Sequence, residues 1–165
     1  MQRRVLRKFV FSCNSSLSLG DLKAIQYAKL NGQELTFQIQ KTYEKKLREM
    51  MLPLTRKAIS YLEDARREEG LAGFYNYTDQ HSNRVLKLIA QKLGIETNMH
   101  HHVGRETFGT EFIRRGGKVD VLQILMDHSK ISTTMKYVHV DDDMKRATIQ
   151  MLDEQDSTRP LMKVS

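Results

Sequence analysis

The stretch HHVGRETFGT, residues 101–110, places histidines and an arginine at helical spacing. Adjacent residues of a helix point about 100° apart, so only one of His100, His101 and His102 can face a given site. His102 and Arg105 are three positions apart and share one helix face. An arginine fork matches two phosphate oxygens, and a histidine beside it can move a proton near neutral pH. The pair fits a phosphoryl-binding site, although a capping histidine beside a surface arginine fits the same spacing.

A metal site is the other interpretation of a histidine cluster. Metal ligands on a helix stand three or four positions apart on one face, whereas these histidines are consecutive. No cysteine or carboxylate stands at an obvious ligand spacing from them. The pattern therefore disfavours a metal centre.

A second stretch, MDHSKISTTMKYVH at residues 126–139, adds His128 and, nine positions later, Tyr137 among serines and threonines. With this stretch the sequence resembles the catalytic domain of the tyrosine recombinases, the phage-integrase family. That family carries an H-x-x-R motif, a T-F-A/G-T run, L-G-H, T-T and a nucleophilic tyrosine in this order. The corresponding positions here are His102–Arg105, Thr107–Thr110, Asp127-His128, Thr133-Thr134 and Tyr137.

The resemblance covers nearly the whole chain. Residues 9–22 are similar to the family's opening pair of helices, and Gln40-Lys41-Thr42 is similar to its β-hairpin lysine. The amino-acid sequences of four short segments are most similar to those of integrases of mobile elements from Bacteroides-type bacteria. These segments are 11–13, 40–42, 53–54 and 86–90.

The resemblance implies a role for each matched residue. Tyr137 would attack a DNA backbone phosphate, form a 3′-phosphotyrosyl link and release a 5′-hydroxyl. Arg105 would bind the non-bridging oxygens, His102 would help accept the tyrosine proton, and His128 would hydrogen-bond the phosphate. Lys41 would protonate the departing 5′ oxygen. The resemblance implies that no metal, nucleotide or other cofactor is needed, because the phosphotyrosine link retains the energy for rejoining.

The sequence departs from the family's motifs at several positions. Ser15-Ser-Leu-Ser18 stands where the family has T-G-L-R, so Ser18 replaces the first catalytic arginine. Ser18 also has a structural role, because with Asp21 it forms the spacing of a capping box. Asp127 replaces the glycine of L-G-H, Gly104 replaces the usual leucine, and Glu106 stands where the family often has histidine.

Hydrophobic periodicity and end signals predict a mostly helical chain with one hairpin. Leu35, Phe37 and Ile39 alternate on one face of a strand, and a turn through residues 42–44 leads to a second strand that Pro53 closes. The expected strands are about 34–41 and 46–52. The expected helices are about 3–13, 19–30, 55–68, 82–93 with Ser82 as its cap, 102–115, 119–126, 132–137 and 141–153.

The remaining residues of interest have structural interpretations. We expect Cys13, Met50, Met51 and Met126 to be core residues rather than reactive groups. The expected exposed histidines are His81, His100 and His101.

Length and composition are those of one ordinary globular domain. The chain has 165 residues, 39% hydrophobic and 28% charged, and a single cysteine, which fits a reducing cytoplasm. We expect a mixed α+β catalytic domain over residues 1–155, with a small antiparallel hairpin or three-stranded sheet, and a flexible tail at 156–165. The family usually has a DNA-clamping helical domain before this one, so we expect the chain to be a fragment or an excised domain.

The net charge of +7 favours a polyanionic partner. Residues 1–70 carry 14 Lys and Arg against 8 Asp and Glu, so most of the surplus lies there. The expected partners are double-stranded DNA at recombination sites and other protomers of the same recombinase, with no membrane.

The favoured function is DNA breakage and rejoining for integration or excision of a mobile element. A catalytically impaired relative that binds DNA and regulates recombination is the main rival, because Ser18 and Asp127 depart from the motif. The other rivals are a type IB topoisomerase, which shares the chemistry, and a basic DNA-binding module without catalysis. The DNA affinity of such a binding module would depend steeply on salt concentration, and the module would form no covalent adduct with DNA.

Overall fold

The computed structural model describes residues 1–39, 48–70, 73–138 and 142–158. Helices surround one small sheet, as the sequence predicts for a mixed α+β domain. The strands are β1 (Lys29–Asn31), β2 (Glu34–Ile39) and β3 (Arg48–Pro53). The helices are α1 (Gln2–Ser12), α2 (Leu19–Ala24), α3 (Arg56–Glu69), α4 (Asp79–Lys92), α5 (His101–Arg114), α6 (Val119–Leu125), α7 (Ile131–Met135) and α8 (Asp142–Thr158).

The sheet is antiparallel with the order β1-β2-β3. Leu35, Phe37 and Ile39 are all buried on one face of β2, which confirms the alternation in the sequence. Leu35 pairs with Leu52 of β3 in the register of the two strands. The predicted turn at residues 42–44 and Lys41 lie outside the described residues.

Two predicted helix starts are confirmed at the level of individual hydrogen bonds. The Ser18 hydroxyl accepts a bond from the Asp21 backbone N–H at 3.2 Å, and the Asp21 carboxylate accepts one from the Ser18 N–H at 2.9 Å. This capping box satisfies two N–H groups at the start of α2. Thr55 caps α3 in the same way, accepting from the Ala58 N–H at 3.1 Å.

The helix predicted over 19–30 is too long. It ends at Ala24, continues as one 3₁₀ turn at Ile25–Tyr27 and gives way to β1. Gly32, with φ of 59°, forms the tight turn that brings β1 back along β2. Pairing with β2 thus determines the conformation of Lys29–Asn31, and this contact is not visible in the local sequence pattern.

Three other helix boundaries differ from the prediction. The cap of α4 is Thr78, which accepts from the His81 N–H, and Ser82 lies buried inside the helix. Helix α7 begins at Ile131 rather than Ser132 and ends at Met135, so Tyr137 lies in the turn that follows it. The last helix extends to Thr158, so it includes the first three residues of the predicted tail; residues 159–165 lie outside the described ranges.

Among the residues that the structure describes, three groups of buried side chains hold the elements together. The largest lies between the sheet, α2 and α3, the second between α1, α4 and the start of α5, and the third between α5, α6 and the turn after α7. Met126 belongs to the third group as expected, whereas Met51 is 62% exposed because it points away from the face that carries Leu52. Cys13 is half-buried beside the second group, and burial raises the pKa of its thiol to about 11. Such a thiol is a poor nucleophile.

Helices α1 and α5 cross closely at Gly104. A Cβ atom at this position would lie 3.1 Å from the Ser12 Cβ and 3.2 Å from the Phe9 carbonyl oxygen. The leucine that the family usually has here would require the two helices to move apart at this point. The close crossing brings the start of α5, with its histidines and Arg105, against α1.

Candidate active site

Arg105 lies on the inner face of α5 and is 9% exposed. Its Nη1 donates a hydrogen bond to the Ser16 carbonyl oxygen at 2.7 Å, and its Nη2 donates one to the carbonyl oxygen of Met126. The Asp21 carboxylate lies 3.8 Å from Nη1. Arg105 therefore joins the turn before α2 to the turn after α6, and both turns border the site.

Each of these two turns contains a residue in the left-handed backbone region. Ser16 has φ of 61° and Asp127 has φ of 48°, and they stand where the family's motifs have glycine. Glycine adopts this conformation without steric cost, whereas other residues need compensating contacts. The Ser16 hydroxyl donates to the Leu125 carbonyl oxygen at 2.7 Å, and the Asp127 carboxylate pairs with Arg48 of β3. These contacts stabilise the two turns in place of glycine.

His128 follows directly after the second turn and faces the site. Its Nδ1 lies 2.9 Å from the Thr134 hydroxyl, and its carbonyl oxygen accepts a bond from the Gln123 amide. Burial, followed by the nearby Arg105 charge, lowers the pKa of His128 to about 4. The ring is therefore neutral at pH 7. When Thr134 donates to Nδ1, Nε2 carries the proton and can donate a hydrogen bond to a phosphate oxygen.

His102 lies on the more exposed side of the same site. Its Nε2 is 3.4 Å from Glu106 Oε1. Partial burial lowers the pKa of His102, and the Glu106 carboxylate opposes this effect. A neutral imidazole at this position can accept a proton.

Tyr137 is buried, with 5% of its surface exposed. Its ring packs against Gly109 of α5, where a Cβ atom would lie 2.9 Å from two ring carbons. Its hydroxyl is enclosed and has no hydrogen-bond partner among the residues that the structure describes. The Lys136 ammonium lies 4.9 Å from the centre of the Tyr137 ring. The Tyr137 ring is thus packed against α5, and the Tyr137 side chain helps to raise the pKa of the adjacent Lys136.

The structure brings four of the five predicted site residues together: Arg105, His102, His128 and Tyr137. The Tyr137 phenol contributes to the pKa of Arg105, and the His102 ring contributes to the pKa of His128. The fifth, Lys41, lies outside the described residues. The sequence reasoning missed Lys136 and its partner Glu106. Their adjacency to Tyr137 and Arg105 in the chain was the available signal.

His101 differs from the prediction, because it is 3% exposed rather than on the surface. Its ring packs 6.4 Å from the Phe9 ring, centre to centre, and neither ring nitrogen has a hydrogen-bond partner within the described ranges. The Asn83 side chain accepts a bond from its backbone N–H at 3.0 Å. The α1–α5 crossing at Gly104 buries this ring, so His101 is a structural residue. His81 and His100 are both half-exposed.

The buried His101 predicts a stability that depends on pH. Burial, followed by the Lys8 charge, lowers its pKa to about 4 in the folded chain. The unfolded chain has an ordinary value near ~6.5, so between these values only the unfolded chain binds the proton. The free energy of unfolding should therefore fall, by up to about 3 kcal/mol from this residue, as pH decreases from about 6.5 to 4.

Urea denaturation at pH 7 and pH 4.5 tests this expectation. We expect His101→Leu to unfold with a smaller loss between the two pH values than the unaltered chain, while His100→Gln keeps the full loss. Equal losses in all three proteins would contradict the assignment. Protonation of His128 also lowers the free energy of unfolding over this pH range, but it does so in all three proteins. The difference between the losses of His101→Leu and of the unaltered chain therefore reports His101 alone.

Within the described residues, no three His, Cys, Asp or Glu side chains are close enough together to hold a metal ion. None of the helices in those same ranges is long and apolar enough to cross a lipid bilayer.

The fold is that of a tyrosine-recombinase catalytic domain. The model of the phage integrase family matches residues 9–144, and the chain belongs to this family. A similar curated protein is the probable integrase/recombinase YoeC of Bacillus subtilis, 27% identical over 148 residues that cover 87% of this chain and 81% of the relative. A tyrosine recombinase of Pseudothermotoga lettingae is 28% identical over 141 residues, which cover 79% of this chain and 49% of that protein.

A solved structure shows the same fold. The Tn1549 transposon integrase in complex with a circular intermediate DNA superposes with a TM-score of 0.67 and 17% identity, over 91% of this chain and 59% of the other. The chain thus spans about half the length of the Pseudothermotoga recombinase and little more of the Tn1549 integrase chain.

Proposed function

We propose that this chain is the catalytic domain, over residues 1–155, of an enzyme that breaks and rejoins DNA through Tyr137. The observation that carries the proposal is the Tyr137 hydroxyl, which is enclosed and unpaired in the described structure next to Arg105. A tyrosine that served only to fill the core would more commonly bond its hydroxyl to a partner. Family membership supports the same reaction.

The proposed reaction requires the enclosed Tyr137 hydroxyl to become exposed when DNA binds, and Tyr137 Oη then attacks the phosphorus of a DNA phosphodiester. The new bond links Tyr137 to the 3′ side, and the bond from phosphorus to the 5′ oxygen breaks. His102, which is neutral at pH 7, accepts the phenol proton, and Lys41 gives a proton to the departing 5′ oxygen. Rejoining runs the same steps in reverse.

Arg105 and His128 stabilise the charge that grows on the non-bridging oxygens. Arg105 keeps one N–H on each terminal nitrogen, and its Nε–H, beyond the two bonds that it makes to backbone carbonyls. Because both turns that it joins are fixed, the guanidinium is already in place when DNA binds. Such preorganisation is the main source of this type of catalysis.

The proposed partners are double-stranded DNA at recombination sites and further protomers of the same protein. Helix α8 supports the second, because every side chain from Lys145 to Glu154 is exposed. Ile149, Met151 and Leu152 are among them, each more than half exposed. A helix whose side chains are all exposed over residues 145–154 is suited to pack on another protomer.

We propose integration or excision of a mobile element as the biological role, carried out in the cytoplasm. The Tn1549 integrase, a transposon protein of the same fold, supports this role. The amino-acid sequence of segments such as residues 11–13, together with Ser18, supports a relationship to integrases of Bacteroides-type elements.

Covalent trapping on DNA tests the proposed reaction. The substrate is a set of duplexes with 5′-bridging phosphorothiolates, tiled across the DNA on both sides of the gene that encodes the chain. We expect a DNA adduct that resists denaturation in the unaltered protein and none in Tyr137→Phe, which loses only the hydroxyl. Tyr27→Phe, at an exposed tyrosine, is the matched control and should keep the adduct. An adduct of equal yield in Tyr137→Phe would contradict the proposal.

A catalytically impaired DNA-binding protein is the second candidate. Ser18 favours it, because its hydroxyl is used in the capping box and supplies no cation to the site. This candidate predicts that only Ser18→Arg forms the adduct. DNA binding by the unaltered chain without any adduct would support it.

A further inference from the structure

Lys136 lies at the rim of the site, one residue before Tyr137, where the backbone leaves α7. Its Nζ is 4.9 Å from the centre of the Tyr137 ring and 3.3 Å from Glu106 Oε1. The same Oε1 lies 3.4 Å from His102 Nε2. Glu106 therefore holds Lys136 and His102 together on the open side of α5, above the buried tyrosine.

The charge of Lys136 affects the histidines on both sides of the site. It contributes to the lowered pKa values of His102 and His128. Partial burial alone would lower the pKa of Lys136, but the Tyr137 side chain and the Glu106 carboxylate together raise it above its ordinary value. Lys136 is therefore a permanent cation at neutral pH, and its effect on the reaction is electrostatic rather than proton transfer.

The site has a deficit of cationic donors that Lys136 is placed to fill. Ser18 stands at the position of the family's first arginine, and its hydroxyl is engaged with the Asp21 N–H. Arg105 uses part of its guanidinium to hold two backbone carbonyls. Loss of one preorganised donor costs an acyl-transfer site about 10²–10³-fold in rate, and we take this as the scale for the loss of a cationic donor here.

We propose that Lys136 is a second phosphate-contacting cation of this site, held ready by Glu106, and that it takes over part of the role of the absent arginine. This inference rests on the proposed function. As the bond from Tyr137 Oη to phosphorus forms and the bond to the 5′ oxygen breaks, negative charge builds up on the non-bridging oxygens. The Lys136 ammonium turns from Glu106 to one of these oxygens and keeps all three of its protons.

Single-turnover cleavage of the 5′-bridging phosphorothiolate duplexes tests the role of Lys136. The sulfur leaving group needs no proton, so the rate reports stabilisation of the nucleophile and the phosphate and is independent of Lys41. We expect Lys136→Met to slow adduct formation by about 10²-fold. DNA affinity, measured on the uncleavable duplex, should fall by less than about tenfold, as for the loss of one phosphate contact.

Three variants separate this role from a general loss of charge or of fold. Lys130→Met removes an exposed lysine that lies immediately before α7, and we expect the unaltered rate. Lys136→Arg keeps the charge and should keep the rate to within about tenfold. Adding Ser18→Arg to Lys136→Met should restore at least about tenfold of the lost rate, because the arginine supplies the missing cation from the other side.

An unchanged rate in Lys136→Met, or a loss explained wholly by weaker DNA binding, would overturn the assignment of Lys136. The proposed function would remain if the unaltered protein forms the adduct and Tyr137→Phe does not. No adduct from the unaltered protein on any duplex would count against both.

Discussion

Replacing Arg105 with lysine should both slow DNA cleavage and destabilise the fold. We expect a loss of about 10²–10³-fold in the rate of adduct formation. We also expect a loss of about 2–4 kcal/mol in the free energy of unfolding, because two buried backbone carbonyls lose charged donors. Cleavage of phosphorothiolate duplexes and urea denaturation measure the two effects on the same preparation.

The physical reason is the shape of the guanidinium. Arg105 reaches the Ser16 and Met126 carbonyl oxygens with two different nitrogens and still presents N–H groups to the phosphate. A lysine ammonium is a single point that cannot span both turns, so at least one of them is released. Because Ser16 and Asp127 are held in the left-handed region, a released turn can relax and move His128.

Arg114→Lys is the matched control, since Arg114 lies on the exposed side of α5 and pairs with Glu111 at 2.9 Å. It should change stability by less than about 0.5 kcal/mol. An Arg105→Lys protein as stable and as active as this control would show that Arg105 is neither the connection between the turns nor the phosphate ligand.

The second large effect is expected at the ion pairs between α1 and α3. Arg7 is 6% exposed, and its Nη2 donates to Glu68 at 2.5 Å while its Nη1 lies 3.6 Å from the Glu69 carboxylate. The Glu69 side chain is almost completely buried. Arg7→Met would leave the buried Glu69 carboxylate with Arg4 Nε at 3.9 Å and the Tyr75 N–H at 3.0 Å, so we expect a loss of about 3 kcal/mol in the free energy of unfolding.

Two further variants test whether burial of the ion pair causes the effect of Arg7→Met. Arg3 lies on α1 like Arg7, but its pair with Glu68 of α3 is exposed, so Arg3→Met should cost less than about 1 kcal/mol. Arg7→Met combined with Glu69→Leu removes both buried charges and should recover most of the loss. Equal losses in Arg7→Met and Arg3→Met, by urea denaturation, would mean that the pair is not buried in solution.

Local signals in the sequence predicted much of the fold. The capping box at Ser18, the start of α3 at about residue 55 and the alternation of Leu35, Phe37 and Ile39 all depend on residues within a few positions of each other. The errors lie where distant contacts override local preference. Residues 29 and 30 were predicted to end a helix but pair with β2, and His101 is polar but lies under the α1–α5 crossing.

The sequence likewise predicted the candidate site only in part. The spacing of His102, Arg105, His128 and Tyr137 is visible in the sequence, and the structure brings these four side chains together. The partners that position these side chains could not be predicted from the sequence. The Arg105 bond to Ser16 spans 89 residues and the Lys136 pair with Glu106 spans 30. No periodicity or motif within the sequence links such positions, so these roles required the coordinates.

The central claim is that Tyr137 forms the covalent bond to DNA, and mapping the adduct tests it most directly. The complex trapped on a phosphorothiolate duplex is digested with protease and nuclease, and the nucleotide-linked peptide is sequenced by tandem mass spectrometry. The account predicts a nucleotide joined through its 3′-phosphate to Tyr137 and to no other of the six tyrosines. A link to a different residue, or through the 5′ side of the break, would contradict it.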